Sequence, residues 1–261
     1  AQEDAHSLVI AAYRLTFSAL IIAIPTLFKS RNEIKQLSKN EWGLVMLSGF
    51  FLALHFATWI SSLAYTSIAS SVVIVTSSPL WVALFSRIFL KEKMTRSNKW
   101  GMIVAILGAL IVGSAAILTS DKSGVFGQSS LLGQFLALLG AAFVAGYLLI
   151  GRKLRIRISL VTYTFLVYGS AALFLFLIVL FLGLPLSGYQ PKVWGLLLLM
   201  AIFPQLIGHS TYNWALKYMS AVVVSIVALG EPIGATLLGL ILLKETPHLI
   251  EIIGGVILLV G

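Results

Sequence analysis

The 261-residue chain is 59% apolar and only 10% charged, with a mean hydropathy of +1.01, too little polar surface for a water-soluble globule, so its solvent is mainly lipid. The apolar residues run in long blocks, which excludes an outer-membrane barrel and selects helices, the spanning form that satisfies its own backbone hydrogen bonds. Net charge +9 lies between those blocks rather than in an aromatic-laced basic stripe, arguing against nucleic acid as a partner, and the absence of cysteine excludes disulfides, thiolate metal sites and CxxC redox chemistry.

Nine stretches of the length that crosses a bilayer core follow in chain order, at 8–28, 42–64, 67–90, 99–118, 130–151, 158–183, 193–216, 219–243 and 248–261. The first carries Arg14 near one end, where its stem can snorkel or make an ion pair, or where the guanidinium can bind a substrate carboxylate. The second carries His55, Thr58, Trp59 and Ser62 on one helical face. In the third, Ser77 and Ser78 precede Pro79. The seventh carries Gln205, His209, Tyr212 and Asn213, again on one face. Polar stripes in hydrocarbon turn inward, either as a cavity lining or as interhelical packing contacts. The eighth holds Glu231 near its middle, just before Pro232; a carboxylate there is costly unless it faces protein or water, as a substrate-binding group, a proton acceptor or a helix-locking contact. Thr246-Pro247 reads as the cap and first turn of the last span. His55 and His209 lack the spacing of a zinc motif, so no metal or other cofactor is expected.

Thirteen Lys and Arg fall in one set of alternate connectors (Lys29, Arg31, Lys35, Lys39; Lys91, Lys93, Arg96, Lys99; Arg152, Lys153, Arg155, Arg157; Lys217) and three in the other (Lys122, Lys192, Lys244). The positive-inside rule then places residue 1 outside and residue 261 in the cytoplasm. Sliding residues 216–261 back by 153 positions matches Leu63, Tyr65, Ser67, Pro79, Leu84, Ile88, Leu90, Lys91, Glu92, Gly101 and Gly108 with Leu216, Tyr218, Ser220, Pro232, Leu237, Ile241, Leu243, Lys244, Glu245, Gly254 and Gly261. Upstream the match continues after a one-residue shift, Trp42-Gly43-Leu44 meeting Trp194-Gly195-Leu196. The chain thus reads as two repeats, 1–118 and 130–261, the first lacking one helix. Five helices per repeat is odd, so the halves lie inverted in the membrane, as the charge bias independently requires. The expected fold is an all-α polytopic membrane protein of two inverted five-helix repeats, ten helices implied and nine visible. Matched Pro79 and Pro232 are candidate hinges.

Ala11-Ala12-Tyr13-Arg14, the Leu-Lys-Glu closing a span in each half, the Gly101 and Gly254 helices and Gly230-Glu231-Pro232 together resemble the EamA-type branch of the drug/metabolite transporter superfamily over the whole chain. The resemblance implies a central cavity and alternating-access transport of small metabolites, often export of amino acids or related compounds. The expected function is secondary transport of such a metabolite through the bacterial cytoplasmic membrane, with Arg14, His55, Trp59, Ser62, Ser77, Ser78, His209, Tyr212, Asn213 and Glu231 as cavity residues and protons as candidate coupling ion. An intramembrane lipid enzyme, a channel or a structural protein is the alternative; nine acidic residues in all do not assemble a catalytic cluster.

Overall fold

The computed structural model describes residues 5–66, 68–92, 94–119, 129–238, 241, 244 and 249–261, and its regular elements are helices. In order they are α1 (Ser7–Lys29), α2 (Arg31–Lys35), α3 (Lys39–Ser62), α4 (Ile68–Val75), α5 (Ser78–Phe85), α6 (Arg96–Thr119), α7 (Ser129–Arg155), α8 (Leu160–Phe181), α9 (Pro191–Met200), α10 (Ser210–Ala215), α11 (Ala221–Ala228), α12 (Glu231–Leu238) and α13 (Leu249–Val260). A π-helical turn, Ser86–Leu90, extends α5, and a longer π segment, Ala201–His209, joins α9 to α10. Among the described residues, five stretches are long and apolar enough to cross a membrane: α1, α3, 131–155, α8 and 191–215. Thr246-Pro247, and the repeat matches at Ser67, Leu243 and Glu245, lie outside the described residues.

Local chemistry sets the helix starts. Ser38 and Glu41 form a reciprocal capping box on α3, the Glu41 carboxylate accepting from the Ser38 N–H at 2.8 Å while Ser38 Oγ accepts from the Glu41 N–H at 3.3 Å. Ser159 caps α8 and Ser220 caps α11, and Pro191 opens α9, where a missing N–H costs no helical bond.

Compactness divides the chain into two units, Ala1–Ser61 with Gly146–Met219 and Ser62–Ala145 with Ser220–Gly261. Each takes elements from both sequence halves. In the second unit, α6 and α13 pack backbone to backbone. A Cβ on Gly108 would lie 2.7 Å from Leu258 Cα and 2.8 Å from the Gly254 oxygen; one on Gly261 would lie 2.7 Å from Ala105 Cα and 2.8 Å from the Gly101 oxygen. The 153-residue offset converts one set of contacts into the other. Gly101 meets Gly261 and Gly108 meets Gly254, so the equivalent helices run antiparallel about a local two-fold axis, as inverted repeats require. Small residues permit this approach where apolar helices in lipid gain nothing from burial alone.

The third and eighth expected spans, read from sequence as kinked at proline, are interrupted outright. Between α4 and α5 the Ser77 N–H bonds the Ile74 carbonyl at 3.0 Å and the Leu80 N–H bonds the Ser77 carbonyl at 2.9 Å. Between α11 and α12 the equivalent Gly230 N–H to Val227 and Ile233 N–H to Gly230 bonds are both 3.0 Å. Pro79 and Pro232 each occupy the second position of the helix that follows, where proline fits. At the matched lysines the backbone is left-handed, φ being 55° at Lys91, where it ends the π-helical extension of α5, and 57° at Lys244.

In the first unit α1 packs along α8. Ser18 Oγ donates to the Ala201 carbonyl at 3.0 Å, and Gly49 has no room for a Cβ because Ser170 Oγ and the Ala171 amide crowd it. These contacts exchange under an offset of 152. The extra residue that raises the offset to 153 by Leu63 and Leu216 therefore enters between Ala201 and Leu216, the stretch that begins with the π segment. One residue inserted into an α-helix is accommodated as π-helical winding.

Candidate functional site

The first unit has a polar, aromatic interior. Arg14 does not snorkel: it is 6% exposed, its Nε donates to Gln205 Oε1 at 2.9 Å, and its guanidinium carbon stands 4.6 Å from the centre of the Phe56 ring. A guanidinium only donates, so the Gln205 carbonyl oxygen must face it. The amide nitrogen of the same fully buried side chain then points away, on the side of the Tyr168 hydroxyl and without a hydrogen bond of good geometry.

Beyond Phe56 stands His209, ring centres 5.5 Å apart, and His209 in turn approaches Tyr147 at 6.3 Å and Tyr212 at 6.0 Å. His55 is buried and stacks on Trp59 at 5.7 Å. Asn213 is fully buried and joins two helices at once: its Oδ1 accepts from the Tyr147 hydroxyl at 2.8 Å and its Nδ2 donates to the Tyr168 hydroxyl at 3.2 Å. Tyr168 pairs with Ser210 Oγ at 3.1 Å, and Ser48 Oγ with the Tyr163 hydroxyl at 2.8 Å. Buried phenols require such partners, and the network fixes the wall against which Arg14, Gln205 and His209 are presented.

Two arginines that sequence reading counts only as topology charges do structural work at the end of α10. Arg155, 3% exposed, donates from Nε to the Asn213 carbonyl at 2.9 Å, and Arg152 Nη1 to the Leu216 carbonyl at 2.9 Å. Both satisfy carbonyls that a helix C-terminus leaves open.

Of the expected site residues, Arg14, His55, Trp59, His209, Tyr212 and Asn213 share this neighbourhood. Thr58 belongs to the same stripe, but its hydroxyl bonds its own helix at the Leu54 carbonyl, 2.8 Å away. Ser62, Ser77, Ser78, Pro79, Glu231 and Pro232 belong to the second unit. Ser62 Oγ pairs with Ser71 Oγ at 2.6 Å; Ser77, Ser78 and Pro79 form the α4–α5 interruption; Glu231 and Pro232 open α12, with the Glu231 side chain exposed. Sequence reading passed over Phe56, Tyr168, Ser48 and Ser210. A tyrosine in mid-span, obliged to find a partner for its hydroxyl, is the signal that finds Tyr168; nothing in the sequence marks Phe56.

Comparison with known proteins agrees with this architecture. The model of the EamA-like transporter family matches residues 1–114 and 131–261. The transporter YyaM of Bacillus subtilis is 27% identical over 257 residues, covering 96% of this chain and 81% of that protein. The pseudopaline exporter CntI of Pseudomonas aeruginosa is 26% identical over 259 residues, covering 99% of this chain and 87% of the exporter. A crystal structure superposes with a TM-score of 0.79 over 97% of this chain and 84% of the other, at 16% identity, a likeness of fold alone.

Proposed function

The chain belongs to the EamA-like transporter family, and from that premise we propose that it exports a small organic metabolite, an amino acid or a related compound, by proton-coupled alternating access. It is a multi-pass integral membrane transporter and not an enzyme. The observation that carries the finer reading is the pair of interrupted helices at equivalent positions of antiparallel repeats, the arrangement that places exposed helix ends and movable half-helices around a transport path. Residues 1–118 and 130–261 act as the two inverted repeats, Pro79 and Pro232 mark the hinges, and the connector charges support a bacterial cytoplasmic membrane with residue 261 inside. Likeness to an exporter supports the outward direction.

Glu231 is the coupling carboxylate in this scheme. It opens α12, where the helix N-terminus favours negative charge, and its counterpart in the first repeat is Ser78, so only one of the two breaks carries a titratable group. Reconstituted into proteoliposomes, the protein should give saturable, substrate-selective flux driven by a pH gradient. Glu231→Gln should abolish the pH-driven part and leave substrate exchange. Unsaturable conductance would overturn the carrier reading, and pH-driven flux undiminished in the variant would overturn the role of Glu231.

A further inference from the structure

Phe56 and His209 are equivalent residues of the two repeats under the 153-residue offset, and they face each other at 5.5 Å. A contact between equivalents lies on the local two-fold axis. Trp59 and Tyr212, also equivalents, are half-buried and aromatic. The symmetry fails in polarity: Gln205 and His209 stand where the first repeat has Ala53 and Phe56, and both lie in the π segment that the one-residue insertion creates. Gln205 Nε2 and His209 Nδ1 are each buried without a hydrogen-bond partner. A buried polar nitrogen in a folded protein is normally paired, and one left unpaired calls for a ligand or water to complete it.

We infer that Gln205 and His209, with Arg14 beside them, form a carboxylate-binding site on the axis of the first unit, and that the π segment exists to present it. This rests on the transporter reading above and names the group of the substrate that is recognised. Arg14 locks the amide of Gln205 so that its N–H groups face away from the guanidinium, leaving donors rather than acceptors on offer. One guanidinium and neutral donors match a monoanion, whereas a phosphate dianion would be left undercompensated. Phe56, Trp59, Tyr147 and Tyr212 supply rings for the apolar body of the ligand, and the half-buried side of Trp59, His209 and Tyr212 is its way in.

The test uses the full chain in phosphatidylcholine vesicles, with the twenty proteinogenic amino acids and their carboxamides as competing solutes. At least one acid should be taken up or compete about tenfold or more better than its amide, the loss expected when a charge-assisted contact is removed. Gln205→Glu keeps the bond to Arg14 but replaces the donor by a negative oxygen, so that preference should fall close to one while saturable flux of the amides persists. His209→Phe, which copies the residue its counterpart carries, should weaken acid preference in the same direction and guards against misfolding of the first variant. Oleate against oleamide separates a lipid carboxylate from a soluble one: competition by oleate alone supports the site and overturns the soluble metabolite. Saturable flux in which acids and amides compete equally, or in which both variants keep the preference, overturns the site while leaving the transporter standing. No saturable flux for any solute overturns the transporter reading itself.

Discussion

Both compact units obey the same antiparallel two-fold logic, yet they solve lipid-phase packing in opposite ways. The second unit brings α6 and α13 together on Gly101, Gly108, Gly254 and Gly261, with Ala105, Ala109, Leu229 and Leu258 as its buried core. The first buries Arg14, His55, Gln205, Asn213 and three tyrosines, Tyr147, Tyr163 and Tyr168, and ties Arg14 to Gln205, Asn213 to Tyr147 and Tyr168, and Tyr163 to Ser48 by side-chain hydrogen bonds. In lipid, where apolar burial does not distinguish helix from solvent, close backbone contact and polar pairing are the two available sources of association. A unit held by backbone contact tolerates no added atom at its seam. A unit held by polar pairs tolerates reshaping but not the loss of a partner.

The largest effect that could break this contrast is expected at the glycine seam. Gly108→Ala places a methyl group against the backbone of Leu258, which cannot rotate out of the way, and the cost should be about 3 kcal/mol or more. Gly254→Ala, the residue that faces Gly108 across the seam, meets the Val112 amide at 2.7 Å and should behave alike. Gly43→Ala, with nothing within 4 Å, should change stability by less than about 0.5 kcal/mol. Thermal unfolding in detergent reads all three; a tolerated Gly108→Ala would remove the basis of the comparison.

Next in size is Asn213→Leu in the first unit. It strands the buried hydroxyl of Tyr147 and takes one partner from Tyr168, which keeps Ser210, and should cost about 1–3 kcal/mol, whereas Tyr168→Phe, which removes only the longer contacts to Asn213 and Ser210 and leaves the shape, should cost about 0.6 kcal/mol. Equal losses from the two would mean that shape rather than polar pairing holds this unit. Pro79→Ala is expected to move stability by only about 0.5 kcal/mol, since proline at the second position of α5 replaces an N–H that the helix does not use. Turnover in vesicles should nevertheless fall, because the substitution permits α4 and α5 to fuse; unchanged turnover would remove the hinge from the proposed mechanism.

What was legible in the sequence follows the same division. The all-helical class follows from block hydropathy, because a helix in lipid has little freedom to be anything else; of the nine spans expected, five are long and apolar enough to cross a membrane among the described residues. The second unit's repeat is readable as identities because several of them are glycine and proline, positions where close backbone contact or a helix start restricts the residue. In the first unit the repeat survives mainly as Trp42-Gly43-Leu44 against Trp194-Gly195-Leu196, and the π segment appears only as a one-residue change of offset. The stripe His55, Thr58, Trp59 and Ser62 has the spacing of one helical face. The structure gives Thr58 to its own helix and Ser62 to the other unit, a parting that depends on tertiary packing no helical period encodes. Arg14 likewise sits at a depth compatible with snorkelling and is turned inward by Gln205, a partner 191 residues away.

The smallest expected effect sharpens the picture of the first unit as one assembled from polar latches, and it lies outside the membrane. Glu33 on α2 accepts from the Ser159 amide at 2.6 Å, from the Ser159 hydroxyl at 2.5 Å and from the Thr162 hydroxyl, so that it clasps the N-terminus of α8. Partial burial pushes its carboxyl up, but the bonds from Ser159 and Thr162, with Arg155 nearby, outweigh burial and hold it below the ordinary value of 4.5. A carboxyl whose value is lower folded than unfolded binds fewer protons in the folded state, so its contribution to stability is complete above the unfolded value and is lost as pH falls through the folded one. Wild-type melting temperature should therefore decline on acidification below about pH 4.5 more steeply than that of Glu33→Gln, which carries no proton-linked latch. The gap between the two proteins should be widest near neutral pH and close toward acid. A gap that stays constant across that range would show that Glu33 acts by shape and not by charge, and would leave Arg157–Glu41, paired at 3.0 Å, as the ionic tie between the α3 start and the segment before α8.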